Sequence, residues 1–176
     1  MTAMHDFRQE QRGVAWAMAS ALVLTIGIMG VALMMDHGAA VPFVSRLQFA
    51  IRADLLVVAW LAAGVANVAR LRFFSESDIA GSGGGPGSDK VRVAGAILQN
   101  TFEQASLAVA AHLIVAASFD RSNALIAALA GLFAVGRLLF WLGYRHGAKG
   151  RAFGFALTFY PSVLALLASA AVIARG

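Results

Sequence analysis

Cysteine is absent from the 176 residues, which excludes a disulfide framework, a thiolate metal site and a cysteine nucleophile. Any sulfur chemistry must therefore arrive with a ligand. Charge is scarce as well: 13% of residues are charged against 60% hydrophobic, and the mean hydropathy is +0.75. A water-soluble surface of ordinary charge density cannot be built from that composition, so the chain belongs in lipid. Histidine is sparse and scattered, and His5, His37, His112 and His146 show no metal-ligand spacing. The net charge of +5 is not a nucleic-acid signal, because Lys and Arg stand beside apolar runs rather than in a basic stripe.

What is present is a series of five apolar segments: Val14 to Met35, Ile51 to Leu71, Val93 to Ala117, Ser122 to Tyr144 and Ala152 to Ala174. A helical crossing takes roughly 20 apolar residues, so each is long enough to span. The expected fold is an all-α integral membrane bundle in a single domain, residues 1–176. The first segment follows Arg8 and Arg12 as a signal peptide would, but it exceeds an h-region of about 7–15 residues and reads as a retained helix. Asp36, His37, Gly38, Pro42 and Arg46 mark the first loop, and Arg52 and Asp54 read as helix-end residues. The run at 81–88 reads as a flexible Gly-rich linker. Pro161 is expected to kink the last helix or to be accommodated by its neighbours, and Gly27, Gly30 and Ala32 suit close helix packing.

Lys and Arg divide unequally between the two faces of such a bundle. Arg8, Arg12, Arg70, Arg72, Lys90, Arg92, Arg145, Lys149 and Arg151 fall on one face, here face A, against Arg46, Arg52, Arg121 and Arg175 on face B. The positive-inside rule puts face A and the N-terminus in the cytoplasm and the C-terminus opposite; in a bacterium this is the cytoplasmic membrane.

Polar residues gather near face A. Asn100, Glu103 and Gln104 are spaced i, i+3 and i+4 on one helix stripe. At about 1.5 Å per residue, Asn100 and Glu103 lie roughly 10 and 15 Å below the face-A end, and Arg137 on the next helix lies roughly 10 Å below. A lone charge at such depth costs at least about 2.5 kcal/mol, so Glu103 and Arg137 are expected to pair. That pair serves a site or simply holds two helices in register. Tyr144 shares the Arg137 stripe, Arg151 starts the last helix where free N–H groups favour anions, and Arg70 and Arg72 close the second helix. Together they suggest a cationic, polar-walled pocket, although Arg70, Arg72, Arg145, Lys149 and Arg151 each also suit juxtamembrane anchoring. A channel is disfavoured because no helix carries a second polar row toward face B.

Gln99-Asn100-Thr101-Phe102-Glu103-Gln104 and Gly136-Arg137-Leu138-Leu139-Phe140-Trp141-Leu142-Gly143-Tyr144, with Arg151 seven residues further on, resemble the MAPEG superfamily of membrane-associated proteins in eicosanoid and glutathione metabolism. Val68-Ala69-Arg70-Leu71-Arg72 is similar to the basic end of that family's first helix. The resemblance covers Ile51 to Ala174, a four-helix core at residues 51–174, and leaves 14–35 as an extra N-terminal transmembrane helix. It implies a homotrimer that binds glutathione as co-substrate between subunits, uses no metal, and receives a lipophilic molecule or lipid from the membrane.

Carried over, Asn100, Glu103 and Gln104 belong to the glutathione site, Arg137 braces Glu103, and Tyr144 gives a hydroxyl. Arg151 stands by the thiol, and Arg70 reaches in from the adjacent subunit. Ala96 stands where members usually have arginine and Phe140 where many have tyrosine, so contacts to glutathione's carboxylates are either missing or supplied by Lys90 or Arg92. The implied function is a glutathione transferase or peroxidase-like enzyme acting on electrophilic lipids. The alternative is a non-catalytic trimeric lipid-binding protein, since the family contains one.

Overall fold

A computed structural model describes residues 2–81 and 87–175, with side chains from Phe7 onward. Its α-helices are α1 (Thr2–Met35), α2 (Phe43–Phe73), α3 (Asp89–Ser118), α4 (Asn123–Gly143) and α5 (Gly147–Ile173), with a 3-10 turn at Tyr144–His146 between the last two. Phe7–Met35, Phe43–Phe73, Asp89–Ser118 and Asn123–Ile173 are each long and apolar enough to cross a membrane. The last stretch has 51 residues, far more than one crossing, and folds back at the 3-10 turn into the α4–α5 hairpin. The helices show large apolar side chains outward, among them Trp16, Val23, Leu55, Leu138 and Leu167, as lipid-facing surfaces do. This is an integral membrane helical bundle.

The hairpin is close because its contact stripe is glycine. A Cβ on Gly154 would stand 2.7 Å from the Gly136 carbonyl oxygen, and one on Gly136 would meet the Thr158 methyl at 2.6 Å. Small residues let two helix backbones touch in lipid, where dispersion and hydrogen bonds replace the hydrophobic effect as the packing force. Gly147, at φ 76°, makes the reversal into α5. α5 runs on through the buried Pro161. Around the hairpin, α3 and α2 pack on one side and α1 on the other. Near face B all five helices meet in one core that contains Met29, Ala50, Val115, Leu125 and Ala165.

α2 begins eight residues before the expected segment, so Arg46, expected in the loop, lies in its first turn, and Arg52 and Asp54 lie inside it rather than at its end. Arg46 is tolerated there because its side chain closes the end of α3. Nε donates to the Ala116 carbonyl at 2.9 Å, and the guanidinium also donates to the carbonyls of Val41 and Asp120. A cation at a helix C-terminus satisfies orphan carbonyls and meets the negative end of the dipole. Asp36 does the converse at α4, accepting from the backbone N–H groups of Ala124 and Leu125, each at 2.9 Å. Asp36 in the first loop and Arg46 in α2 thus cap helices far away in sequence.

One sequence expectation needs revision. Gly27 and Gly30 face open space rather than a neighbouring helix, although Ala32 is buried. Most of the Gly-rich run at 81–88 lies outside the described residues; at its edges Gly81 and Gly87 take positive φ.

Candidate functional site

Arg137 is the largest fully buried side chain of the described residues, at 1% exposure. α4 sets Phe133 one turn before it and Phe140 one turn after, and its guanidinium lies over the Phe140 ring at 4.5 Å. One terminal nitrogen donates to Asn100 Oδ1 on α3 at 2.9 Å, and the other donates to Thr158 Oγ1 on α5 at 2.6 Å. Arg137 therefore ties three helices together, and Gly154 and Gly136 leave the room that brings Thr158 within reach.

The expected Glu103–Arg137 pair does not form within the chain. Glu103 is exposed and accepts from Gln99 Nε2 at 3.0 Å on its own helix. Three residues turn a helix about 60° one way from Asn100 and four turn it about 40° the other, so Glu103 and Gln104 diverge by about 100°. Gln104 goes to the buried side, where its Oε1 has no partner; Arg137 Nε is likewise unpartnered.

Above Arg137 the aromatic stack continues toward face A. Phe140 meets Tyr144 edge to face at 5.5 Å, and the Arg151 guanidinium lies over the Tyr144 ring at 4.6 Å. The order Arg137, Phe140, Tyr144, Arg151 sets two rings between two cations, so that each guanidinium lies over an aromatic face, an arrangement that stabilises it without a counter-ion. Arg151 sits one turn inside α5, which starts at Gly147 and not at Arg151.

A cleft of about 360 Å³ opens beside this stack. Asn100, Tyr144 and Arg151 give it polar groups; Ala96, Phe140, Ala148, Ala152 and Phe155 line it from α3, α4 and α5, and Val14 and Met18 line it from α1. Of the residues expected at a site, the cleft gathers Asn100, Tyr144 and Arg151, with Arg137 behind Asn100. Glu103 faces outward.

Arg70 is elsewhere. It is exposed, donates to Asn67 Oδ1 at 3.1 Å, and lines a second cleft with Leu71, Phe74, Asp78, Asp89 and Lys90. Lys90 therefore belongs to that second cleft, and Arg92 is engaged by Asp89 at 2.7 Å, so neither lines the Asn100 cleft. In the second cleft the Ser75 hydroxyl and the Ser88 backbone N–H each donate to Asp78 at 2.7 Å. Hydrogen bonds from Ser75 and then Ser88, with a smaller contribution from Arg72, hold the Asp78 carboxyl below its ordinary value.

Sequence reasoning overlooked Thr158, whose hydroxyl is invisible as a partner until α4 and α5 are folded together. It also overlooked the buried contact between His112 Nδ1 and Asp54 Oδ1 at 2.6 Å, joining α3 to α2. The signal was available: two ionisable residues inside apolar helices need each other.

Fold and cleft together define a class, a polytopic helical membrane protein with a half-polar, half-apolar cleft set among its spanning helices. A model of the MAPEG family matches residues 47–171, most of the chain, and the chain belongs to that family. No curated protein and no solved structure matches it. The matched region runs from α2 into α5 and leaves α1 outside.

Proposed function

We propose that the protein is a glutathione-dependent membrane transferase or peroxidase-like enzyme, which joins glutathione to electrophilic lipids or hydrophobic compounds. One observation carries this reading: Asn100, Tyr144 and Arg151 share a single cleft that is polar on one side and apolar on the other. Its volume of about 360 Å³ lies within the roughly 300–1,000 Å³ of small-molecule sites. Unpartnered polar atoms of Gln104 and Arg137 lie in the buried polar layer below.

In this reading Asn100 and Tyr144 bind the peptide part of glutathione, Arg137 fixes the Asn100 amide, and Arg151 stabilises the thiolate. A thiol of pKa about 8.5 is only a few per cent ionised at pH 7, and lowering it by two units takes about 2.7 kcal/mol. A half-buried guanidinium beside the first turn of a helix supplies a favourable field of that kind. The thiolate sulfur then bonds to the electrophilic carbon as the leaving group departs with its electron pair. In conjugate addition the sulfur bonds the β-carbon, the π pair of the carbon–carbon double bond shifts toward the activating carbonyl, and a proton from water then completes the product at the α-carbon.

Glu103 and Arg70 enter this reading through a second copy. Each is exposed on a single chain, and a carboxylate on a lipid-facing helix is costly. In a homotrimer the neighbour covers Glu103, and Arg70 reaches the adjacent cleft. The orientation proposed is face A, with the cleft, in the cytoplasm.

The test is glutathione binding by calorimetry, with thiolate absorbance and turnover on a generic electrophile. Arg151→Ala should keep most of the affinity yet lose tenfold or more in thiolate formation and turnover, equivalent to at least about 1.4 kcal/mol. Unchanged turnover in that variant removes the thiolate role. The apolar wall of Val14, Met18 and Phe155 favours a second reading, a non-catalytic lipid-binding protein. Lipid binding by wild-type protein that has no turnover on any electrophile would put that reading first.

A further inference from the structure

We infer that α1, the helix outside the family match, is the recognition wall for the apolar chain of a lipophilic substrate, and that Val14 and Met18 are its specificity-determining residues. The inference rests on the transferase reading for the substrate's reactive end; the wall itself rests on geometry alone.

Val14 and Met18 line the polar cleft and also a groove of about 400 Å³ that runs along α1 with Phe7, Ala15 and Ala148. Cleft and groove therefore share a wall. Along that wall the chemistry changes. Asn100, Tyr144 and Arg151 offer hydrogen bonds and charge on the α3 and α5 side, whereas the α1 side of the cleft offers only a branched and a thioether side chain. A ligand that satisfies both has a polar or reactive end and an apolar extension directed at α1. Glu10 and Gln11 border the groove and disfavour an anionic group at its far end.

α1 is docked, not loosely attached, as a specificity wall requires. Ala21 is fully buried with Leu132 and Leu157 in one cluster, and Thr25 is buried one turn further. At the other end Gly13 lets α1 close on the stem of Lys149, whose Cδ would stand 2.6 Å from a Cβ at that position. The opposite side of α1 presents Trp16, Val23 and Ile26 outward, so α1 stands between the cleft and the bilayer. A chain already dissolved in lipid reaches the groove sideways and gains nothing from the hydrophobic effect on entry. Selectivity then comes from shape against Val14 and Met18.

The test uses full-length protein in phosphatidylcholine nanodiscs. A 16-carbon fatty acid with a chain diazirine should cross-link to residues 14–18 of wild type, and Met18→Trp should reduce that labelling at least fivefold. With glutathione present, Met18→Trp should shift the ratio of kcat/KM for a small aryl halide to that for a long-chain enone by tenfold or more. Val23→Trp, which adds similar bulk on the lipid side, should leave the ratio unchanged, and Met18→Leu should restore it. If Met18→Trp unfolds, Val14→Phe serves in its place. Labelling confined to the Trp16 and Val23 side, or an unshifted ratio in folded variants, overturns the wall. Labelling at 14–18 without turnover on any electrophile upholds the wall and defeats the transferase reading.

Discussion

His112 Nδ1 donates to the Asp54 carboxylate at 2.6 Å between α3 and α2, with both side chains buried inside the bundle. Each answers the other's desolvation. Removing one partner leaves a polar or charged group in a low-dielectric interior, which typically costs about 3–5 kcal/mol for a buried pair. Asp54→Leu and His112→Leu should each lower the unfolding midpoint in detergent, and the double variant should cost less than the sum by about 0.5–3 kcal/mol. Strict additivity would mean that the contact contributes nothing.

The α4–α5 hairpin should fail at Gly154 and tolerate change at Gly95. A Cβ at Gly154 would press on the Gly136 carbonyl at 2.7 Å, whereas one at Gly95 meets nothing within 4 Å. Gly154→Val should give aggregated or misassembled protein on size-exclusion chromatography. Gly95→Ala should be neutral or raise stability by up to about 1 kcal/mol through helix propensity. A monodisperse Gly154→Val protein with wild-type melting would refute the close packing.

Acid should loosen the loop before α3. The folded-state Asp78 value is depressed below 3.8, so its contribution is present above the unfolded value and lost as pH falls through the folded one. Hydrogen exchange at Ser88–Val91 should accelerate below about pH 4 beyond the intrinsic rate in wild type. In Asp78→Asn that added acid dependence should vanish. An identical pH profile in the two proteins would show that Asp78 does not hold the start of α3.

Topology follows from charge and from alternating helix direction. Single cysteines are clean reporters because the chain has none. Lys149→Cys should react with an impermeant maleimide from the cytoplasmic side, and Arg175→Cys from the other. Labelling of both from one side would reverse a span.

The sequence by itself determined the membrane class and the family, and it located the apolar runs. Crossing lipid demands about 20 apolar residues in a row, and a run of that kind is a local property needing no partner. The Asn100 to Gln104 and Gly136 to Tyr144 motifs were legible for the same reason, each lying on one helix. The shared level of Asn100 and Arg137 was legible too, since it follows from residue count along each helix.

Direction around the helix axis, and the identity of partners, belonged to the tertiary structure. Glu103 and Arg137 matched in depth, yet three residues of rotation carried Glu103 away and left Arg137 to Asn100 and Thr158. Arg46 resembled a loop residue and Asp54 a helix-end residue until α3 supplied carbonyls to one and His112 to the other. Whether a charge ends a spanning helix or continues it depends on what the neighbouring helix offers, and only packing sets that. The place of α1 against the cleft was decided the same way, by small residues at its contacts with α5, which no apolar count distinguishes from residues facing lipid.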